Sequence, residues 1–278
     1  SGLTHSNLSA TRAGSTVTIQ IGAGGDTIAL TNFDPSGLNG SLVVETLAFS
    51  DGTTASVDSL LGHIQGVTFE DVDVDGIRDT GESTLSGRTV FLDADNDGLL
   101  DTGETIAVTD ATGTYAFRAI SPGAYTVREI VPSHWFETTP AAGARSVVVN
   151  EGETKSGEDF GTTRATLDVD GNGEADALSD GIAIVRHLFG FTGTALTSGV
   201  IDPNGTRATP LAVERFLTGI QPIVLDVDGN GSADALSDGI AIIRFLFGFT
   251  DDALISGVVD PSGTRTTATA VETFLQQF

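Results

Sequence analysis

Four short acidic loops, each built around a glycine, constrain this chain more than any other feature. Asp71, Asp73, Asp75, Gly76, Asp79 and Glu82 fit D-x-D-x-D-G-x-x-D-x-x-E, and Asp93, Asp95, Asp97, Gly98, Asp101 and Glu104 repeat the string without a gap. Asp168, Asp170, Asn172, Gly173 and Asp176 repeat most of it, as do Asp226, Asp228, Asn230, Gly231 and Asp234. Alternate side chains turned inward bring oxygens to one centre, and glycine at position 6 permits the sharp turn. Position 7 (Ile77, Leu99, Glu174, Ser232) adds a backbone carbonyl, and a carboxylate near position 12 closes the shell. A shell of roughly six to eight oxygens is what Ca2+ requires. The expected cofactor is therefore about four Ca2+ ions, one per loop.

The loops explain much of the formal charge of −25, from 38 acidic against 13 basic residues. Such a surface repels nucleic acid and anionic membranes. No cysteine is present, so disulfides cannot staple the fold, but bound metal can do the same work. No apolar run reaches the ~18 residues of a membrane span. The chain starts at Ser1 without methionine or an apolar leader, and reads as a fragment or processed form of an exported protein.

At 278 residues the chain has room for two or three domains. Residues 1–65 read as a small β region. Val17–Ile21 alternates, Gly22–Asp26 breaks it, Thr27–Leu30 resumes, and Leu42–Phe49 follows before a turn at Asp51-Gly52. The string STVTIQIGAGGDTIALTNF…ETLAFSDGT, over roughly 15–61, resembles the haemolysin-type calcium-binding-related domain of large secreted repeats-in-toxin proteins. Gly22–Asp26 itself reads as a glycine turn rather than a metal repeat.

Residues 66–164 carry short apolar or alternating runs (Arg88–Leu92, Thr105–Thr109, Thr114–Phe117, Ala124–Glu129, Ser146–Val149) between Gly, Pro, Asp and Asn, as in a sandwich of about seven strands. The first two loops fall between strands. GVTFEDVDVDGIRDTGE, VFLDADNDGLLDTGE, TDATGTYAFRAISPGAYTVRE and GEDFG resemble the B-type domain of serine-aspartate-repeat adhesins. That resemblance implies a prealbumin/Ig-like β-sandwich, calcium at 71–82 and 93–104, and a stalk or spacer role on a cell surface. Lys155, the only lysine, lies in a polar turn and is not expected to form a crosslink. Trp135 and Phe136 are expected at an edge of the sandwich core.

Residues 165–221 and 222–278 are two copies of one unit, 58 positions apart: LDVDGNGEADALSDGIAIVRHLFGF and LDVDGNGSADALSDGIAIIRFLFGF. Each predicts a metal loop, a helix, a glycine-rich connection and a second helix. Ile182, Val185, Leu188 and Phe189 share helical spacing, as do Val213, Phe216 and Leu217 with counterparts Val271, Phe274 and Leu275. Ser179 and Ser237 are candidate N-caps. Each copy resembles a dockerin, which implies an all-α tandem repeat of EF-hand-type loop plus helix. Dockerin loops close with Asp at position 12; here Ser179 and Ser237 stand there, and Asp180 and Asp238 follow one later. Either a one-residue bulge brings those carboxylates into the shell, or they serve only the helix dipole. A dockerin's second loop is eroded to Asp202…Arg207 and Asp260…Arg265, one carboxylate each. Arg207 and Arg265 are expected to replace that ion, pairing with Asp202 and Asp260 or with carbonyls.

The chain thus reads as a multidomain, extracellular or cell-surface, non-catalytic segment of an adhesin-like protein, rigidified by calcium. The alternatives are a docking module for a cohesin-like partner, with Phe189, Phe191, Phe247 and Phe249 either its contact face or buried core, and the non-catalytic end of a secreted hydrolase. A host or surface ligand is the other partner class. Catalytic residues are not expected. Clustered carboxylates are spoken for by the loops, the four histidines (His5, His63, His134, His187) share no ligand spacing, and no G-x-S-x-G motif occurs.

Overall fold

Apolar alternation lays down the first sheet: Leu8–Ala13 (β1), Thr16–Ile21 (β2) and Asp26–Leu30 (β3) form an antiparallel meander in the order β1-β2-β3. This computed structural model describes residues 4–34, 46–49 and 51–278. Leu8, Ala10, Val17, Ile19 and Leu30 face inward and bury against Phe33, Val57, Leu60, Leu61 and Ala119. β1 escaped the sequence reading because its Leu-Ser-Ala-Thr-Arg-Ala alternation uses mostly small and polar residues. Thr46–Ala48 (β4) pairs with Thr54–Ser56 (β5); the start of the expected 42–49 strand lies outside the described residues.

The described residues divide into two compact units. The first takes in Ser1–Phe69, Ser83–Ile130 and Pro140–Phe160. Beyond the meander it contains Gly62–Glu70 (β6), Thr89–Asp93 (β7), Thr105–Val108 (β8), Thr114–Ile120 (β9), Gly123–Glu129 (β10), Arg145–Val149 (β12) and Thr154–Lys155 (β13). One sheet runs β12-β10-β7-β8, and β6 pairs antiparallel with β9 and parallel with β13. Ile64, Val90, Tyr115, Phe117, Val127, Val149 and Phe160 fill the space between, as the alternation demands of a sandwich. Gly66 has to be glycine: a Cβ would stand 2.2 Å from the Glu158 carbonyl oxygen. Lys155 pairs with Glu153 at 2.6 Å.

The second unit comprises Glu70–Glu82, Val131–Thr139 and Gly161–Phe278. It holds Trp135–Thr139 (β11), antiparallel to Phe160–Arg164 (β14), and six helices: Asp180–Leu188 (α1), Gly193–Thr197 (α2), Pro210–Ile220 (α3), Asp238–Leu246 (α4), Asp251–Ile255 (α5) and Ala268–Leu275 (α6). α2 and α5 stand where a plain glycine-rich connection was expected. A π-type turn at Gln221–Leu225 leads into the second copy. α1 packs on α4 through equivalent residues: a Cβ on Gly181 would lie 2.9 Å from Ile243 Cγ1, and one on Gly239 2.9 Å from Val185 Cγ2. Such reciprocity is that of a pseudo-twofold pair.

The two units join the small β region to most of the sandwich, and the two repeats to each other. Glu70–Glu82 and Val131–Thr139 group with the helices, because Val74 and Phe136 join the apolar cluster of Val213, Phe216, Leu217 and Ile220. Phe136 therefore packs on α3 rather than on the sandwich core, its ring 5.9 Å from that of Phe216. Trp135 stacks under the Arg164 guanidinium.

Candidate metal centres

The four loops share one hydrogen-bond scheme. The first Asp accepts from the glycine N–H at position 6: Gly76 to Asp71 (2.9 Å), Gly98 to Asp93 (3.1 Å), Gly173 to Asp168 (2.9 Å) and Gly231 to Asp226 (3.0 Å). The side chain at position 5 accepts from the N–H at position 7: Asp75 from Ile77, Asp97 from Leu99, Asn172 from Glu174 and Asn230 from Ser232. Ile77, Leu99, Glu174 and Ser232 turn their side chains to solvent, so only their carbonyls could reach a central ion.

The closing carboxylate spans the loop. Glu82 accepts from Val72 N–H (2.7 Å) and Asp79 N–H (3.0 Å), and Glu104 from Ala94 (2.6 Å) and Asp101 (3.0 Å). Asp180 bridges the same two points, Val169 N–H and Asp176 N–H, both at 2.7 Å; Asp238 bridges Val227 (2.7 Å) and Asp234 (2.8 Å). Asp at position 13 thus occupies the place of Glu at position 12: one residue more of backbone offsets one methylene less of side chain. Ser179 and Ser237 do not cap their helices; each hydroxyl donates to the neighbouring Asp180 or Asp238 at 3.2 Å. The side-chain caps lie instead at Thr209 and Thr267, on α3 and α6.

Carboxylate oxygens of Asp71, Asp73 and Glu82 lie within 4.8 Å of one another, as do those of Asp73, Asp75 and Asp79. Asp93, Asp95 and Glu104 repeat the arrangement, with Asp95, Asp97 and Asp101 beside them, and Asp168, Asp170 and Asp180 do so in the third loop. Like charges at this spacing repel, and burial disfavours ionisation further. Burial lifts Asp73, Glu82, Asp180 and Asp238 above the ordinary carboxylate range, whereas at Asp101 the neighbouring charge of Asp97 is the main cause.

Asp93 goes the other way. Burial pushes its pKa up, but the Arg128 hydrogen bond (Nε to Oδ2, 2.5 Å) and the Gly98 N–H outweigh that and hold it low. Its other oxygen, Oδ1, is buried without a hydrogen-bond partner. An anionic oxygen left so is costly, and an oxygen-seeking cation at the loop centre is the group that would satisfy it. The donor set, all carboxylate, amide and carbonyl oxygen, fits a hard cation and no soft metal. Arg128 itself is invisible to loop spacing, lying 35 residues from Asp93.

The eroded positions keep one carboxylate each, Asp202 and Asp260. Arg207 donates to the carbonyls of Val169 (2.8 Å) and Asp168 (2.6 Å), and Arg265 to those of Val227 (2.6 Å) and Asp226. Each guanidinium lies 4.0 Å above an aromatic ring, Phe216 or Phe274. The arginines pair with carbonyls, not with Asp202 and Asp260. Those two instead donate their backbone N–H groups to Asp170 (2.8 Å) and Asp228 (2.9 Å). Phe189, Phe191, Phe247 and Phe249 are about half exposed, at 56, 48, 54 and 47%, which corrects the expectation of buried core.

Comparison with known proteins agrees with the two N-terminal readings. Residues 62–166 match the family model of the SdrD B-like domain, and residues 17–58 match the haemolysin-type calcium binding protein related domain. A curated relative, serine-aspartate repeat-containing protein F of Staphylococcus epidermidis, is 30% identical over 127 residues, covering 44% of this chain but only 8% of its own length. Among solved structures, the minor pilin GBS52 of Streptococcus agalactiae aligns at 12% identity with a TM-score of 0.27, over 55% of this chain and 62% of its own. The major pilin subunit BcpA of Bacillus cereus aligns at 14% identity with a TM-score of 0.26, over 56% of this chain and 40% of its own. Neither score defines a shared overall fold.

Proposed function

We propose that this chain is a non-catalytic, calcium-stiffened segment of an extracellular, adhesin-like surface protein, whose four loops each take one Ca2+. The observation that carries the reading is the repetition of one loop scheme in a sandwich and in a helical pair, each time gathering acids that repel one another. Arg128 neutralises one of the gathered carboxylates, Asp93, at one loop. Calcium would remove that repulsion and bind loop to strand or helix, so that binding energy becomes folding energy. In scanning calorimetry, added calcium is expected to raise the melting temperature of both units and chelator to melt most of residues 165–278. Traces unchanged by chelator would refute it.

A second reading follows from one specific observation. Phe189, Phe191, Phe247 and Phe249, with Leu178 and Leu236 (67% exposed each), put large apolar side chains in solvent at equivalent places of the two copies. Exposed apolar groups of this kind mark interaction sites. In this reading the dockerin-like copies recruit a cohesin-like partner, and calcium-dependent capture by a cohesin, lost in Phe189→Ala with Phe247→Ala, tests it.

A further inference from the structure

One arginine ties two of the four loops together. Arg207 is 4% exposed; its Nε and Nη2 hold the Val169 and Asp168 carbonyls of the third loop, and its Nη1 donates to the Val72 carbonyl of the first at 2.9 Å. From α3, Arg215 Nη1 donates to the Val74 carbonyl at 3.1 Å. Val74, at position 4 of the first loop, has a positive φ of 62° and is 5% exposed. It sits in the apolar cluster of the helices. A β-branched residue in the left-handed region is strained, and persists only where its surroundings hold it there.

The second copy lacks these ties. Arg265 keeps the bonds to its own loop, but among the described residues it has no hydrogen bond to another loop. Where the first copy has Arg215 and Gly219, the second has Thr273 and Gln277. Gly219 is where Phe136 lies against α3: a Cβ there would stand 2.2 Å from the ring. Two copies that are otherwise close in sequence thus differ where the first meets residues 72–75 and 136.

We propose that loops 71–82 and 168–180 bind calcium as one cooperative pair, joined by Arg207, Arg215 and the Val74 plug, while loop 226–238 binds on its own. A closed first loop fixes the Val72 and Val74 carbonyls, so the arginines and the third loop lose less freedom when they order. By linkage the effect runs equally in both directions. The proposal rests on the reading of these loops as calcium sites, and the test separates the two.

The whole chain is titrated with calcium while the amide resonances of Gly76, Gly173 and Gly231 are followed, one reporter per loop. With Asp73→Asn and Asp75→Asn in the first loop, the Gly173 midpoint moves to about fivefold higher calcium or more, and that of Gly231 stays in place. Arg215→Thr, which alters no acid and copies the second repeat, moves Gly76 and Gly173 together and covers the case in which the acid variants fail to fold. A Gly173 midpoint unchanged in Arg215→Thr and in the folded acid variants overturns the coupling. Calcium that shifts none of the three resonances in the unaltered chain overturns the calcium reading itself.

Discussion

Phe216→Ala tests whether the helical copies are held as described. Phe216 is fully buried, its ring 5.9 Å from Phe136 and 4.0 Å beneath the guanidinium of the buried Arg207. Truncating a buried phenylalanine costs about 3–5 kcal/mol. A desolvated cation–π contact adds up to about 2 kcal/mol, though the two terms overlap. The expected loss is about 5 kcal/mol, the upper end of the cavity range. Phe274→Ala removes the equivalent ring, but Phe274 is only half-buried, and about 2–3 kcal/mol is expected. Urea unfolding in saturating calcium, followed by helical circular dichroism, measures both. With a slope of about 2 kcal/mol per molar, the midpoints fall by roughly 2.5 M and 1–1.5 M. Equal shifts, or a Phe216→Ala loss below about 1 kcal/mol, would show that the two copies are not packed differently and that Arg207 is not anchored on that ring.

Three further outcomes are expected. Arg265→Ala lowers stability by about 2 kcal/mol even in saturating calcium, because two carbonyls and a ring lose their cation; an unchanged urea midpoint would end the idea that the arginine replaces an ion. Ser179→Ala shifts the melting temperature little, whereas Asp180→Asn abolishes the calcium response of Gly173; the reverse would restore the serine as the helix cap. In chelator, Asp180 and Asp238 have folded pKa values above their unfolded ones, so the folded chain binds protons more tightly and the penalty fades as pH falls through the raised values. Without calcium, the residues that chelator destabilises at pH 7 should then regain stability as pH falls toward the raised values, and with calcium the melting temperature should fall, because protons displace the ion; parallel slopes would contradict this.

The loops were legible in the sequence because the groups that form their hydrogen-bond scheme are local: position 1 and position 6 meet within one turn, whatever surrounds them. The internal repeat was legible for the same reason, as were the strands whose alternation uses Val, Ile and Phe. Long-range partners were not. Arg215 reaches the Val74 carbonyl across 141 positions, and nothing in either segment announces it. Helical spacing placed Phe189 with Ile182 and Val185, yet α1 ends at Leu188 and the ring swings out to solvent. Ser179 looked like a cap because it precedes a helix; the neighbouring Asp180 takes its hydroxyl instead. Residue counting left Asp180 and Asp238 between the loop and the helix dipole; the backbone geometry has them bridge the equivalent two N–H groups to those held by Glu82 and Glu104.

Equilibrium dialysis of the whole chain against millimolar calcium, with bound metal counted by atomic emission, addresses the central claim most directly. About four ions per chain are expected, falling by one when Asp93 and Asp95 are both changed to Asn and by one when Asp226 and Asp228 are. A chain that retains no calcium after dialysis, or whose bound calcium is indifferent to these changes, would contradict the account.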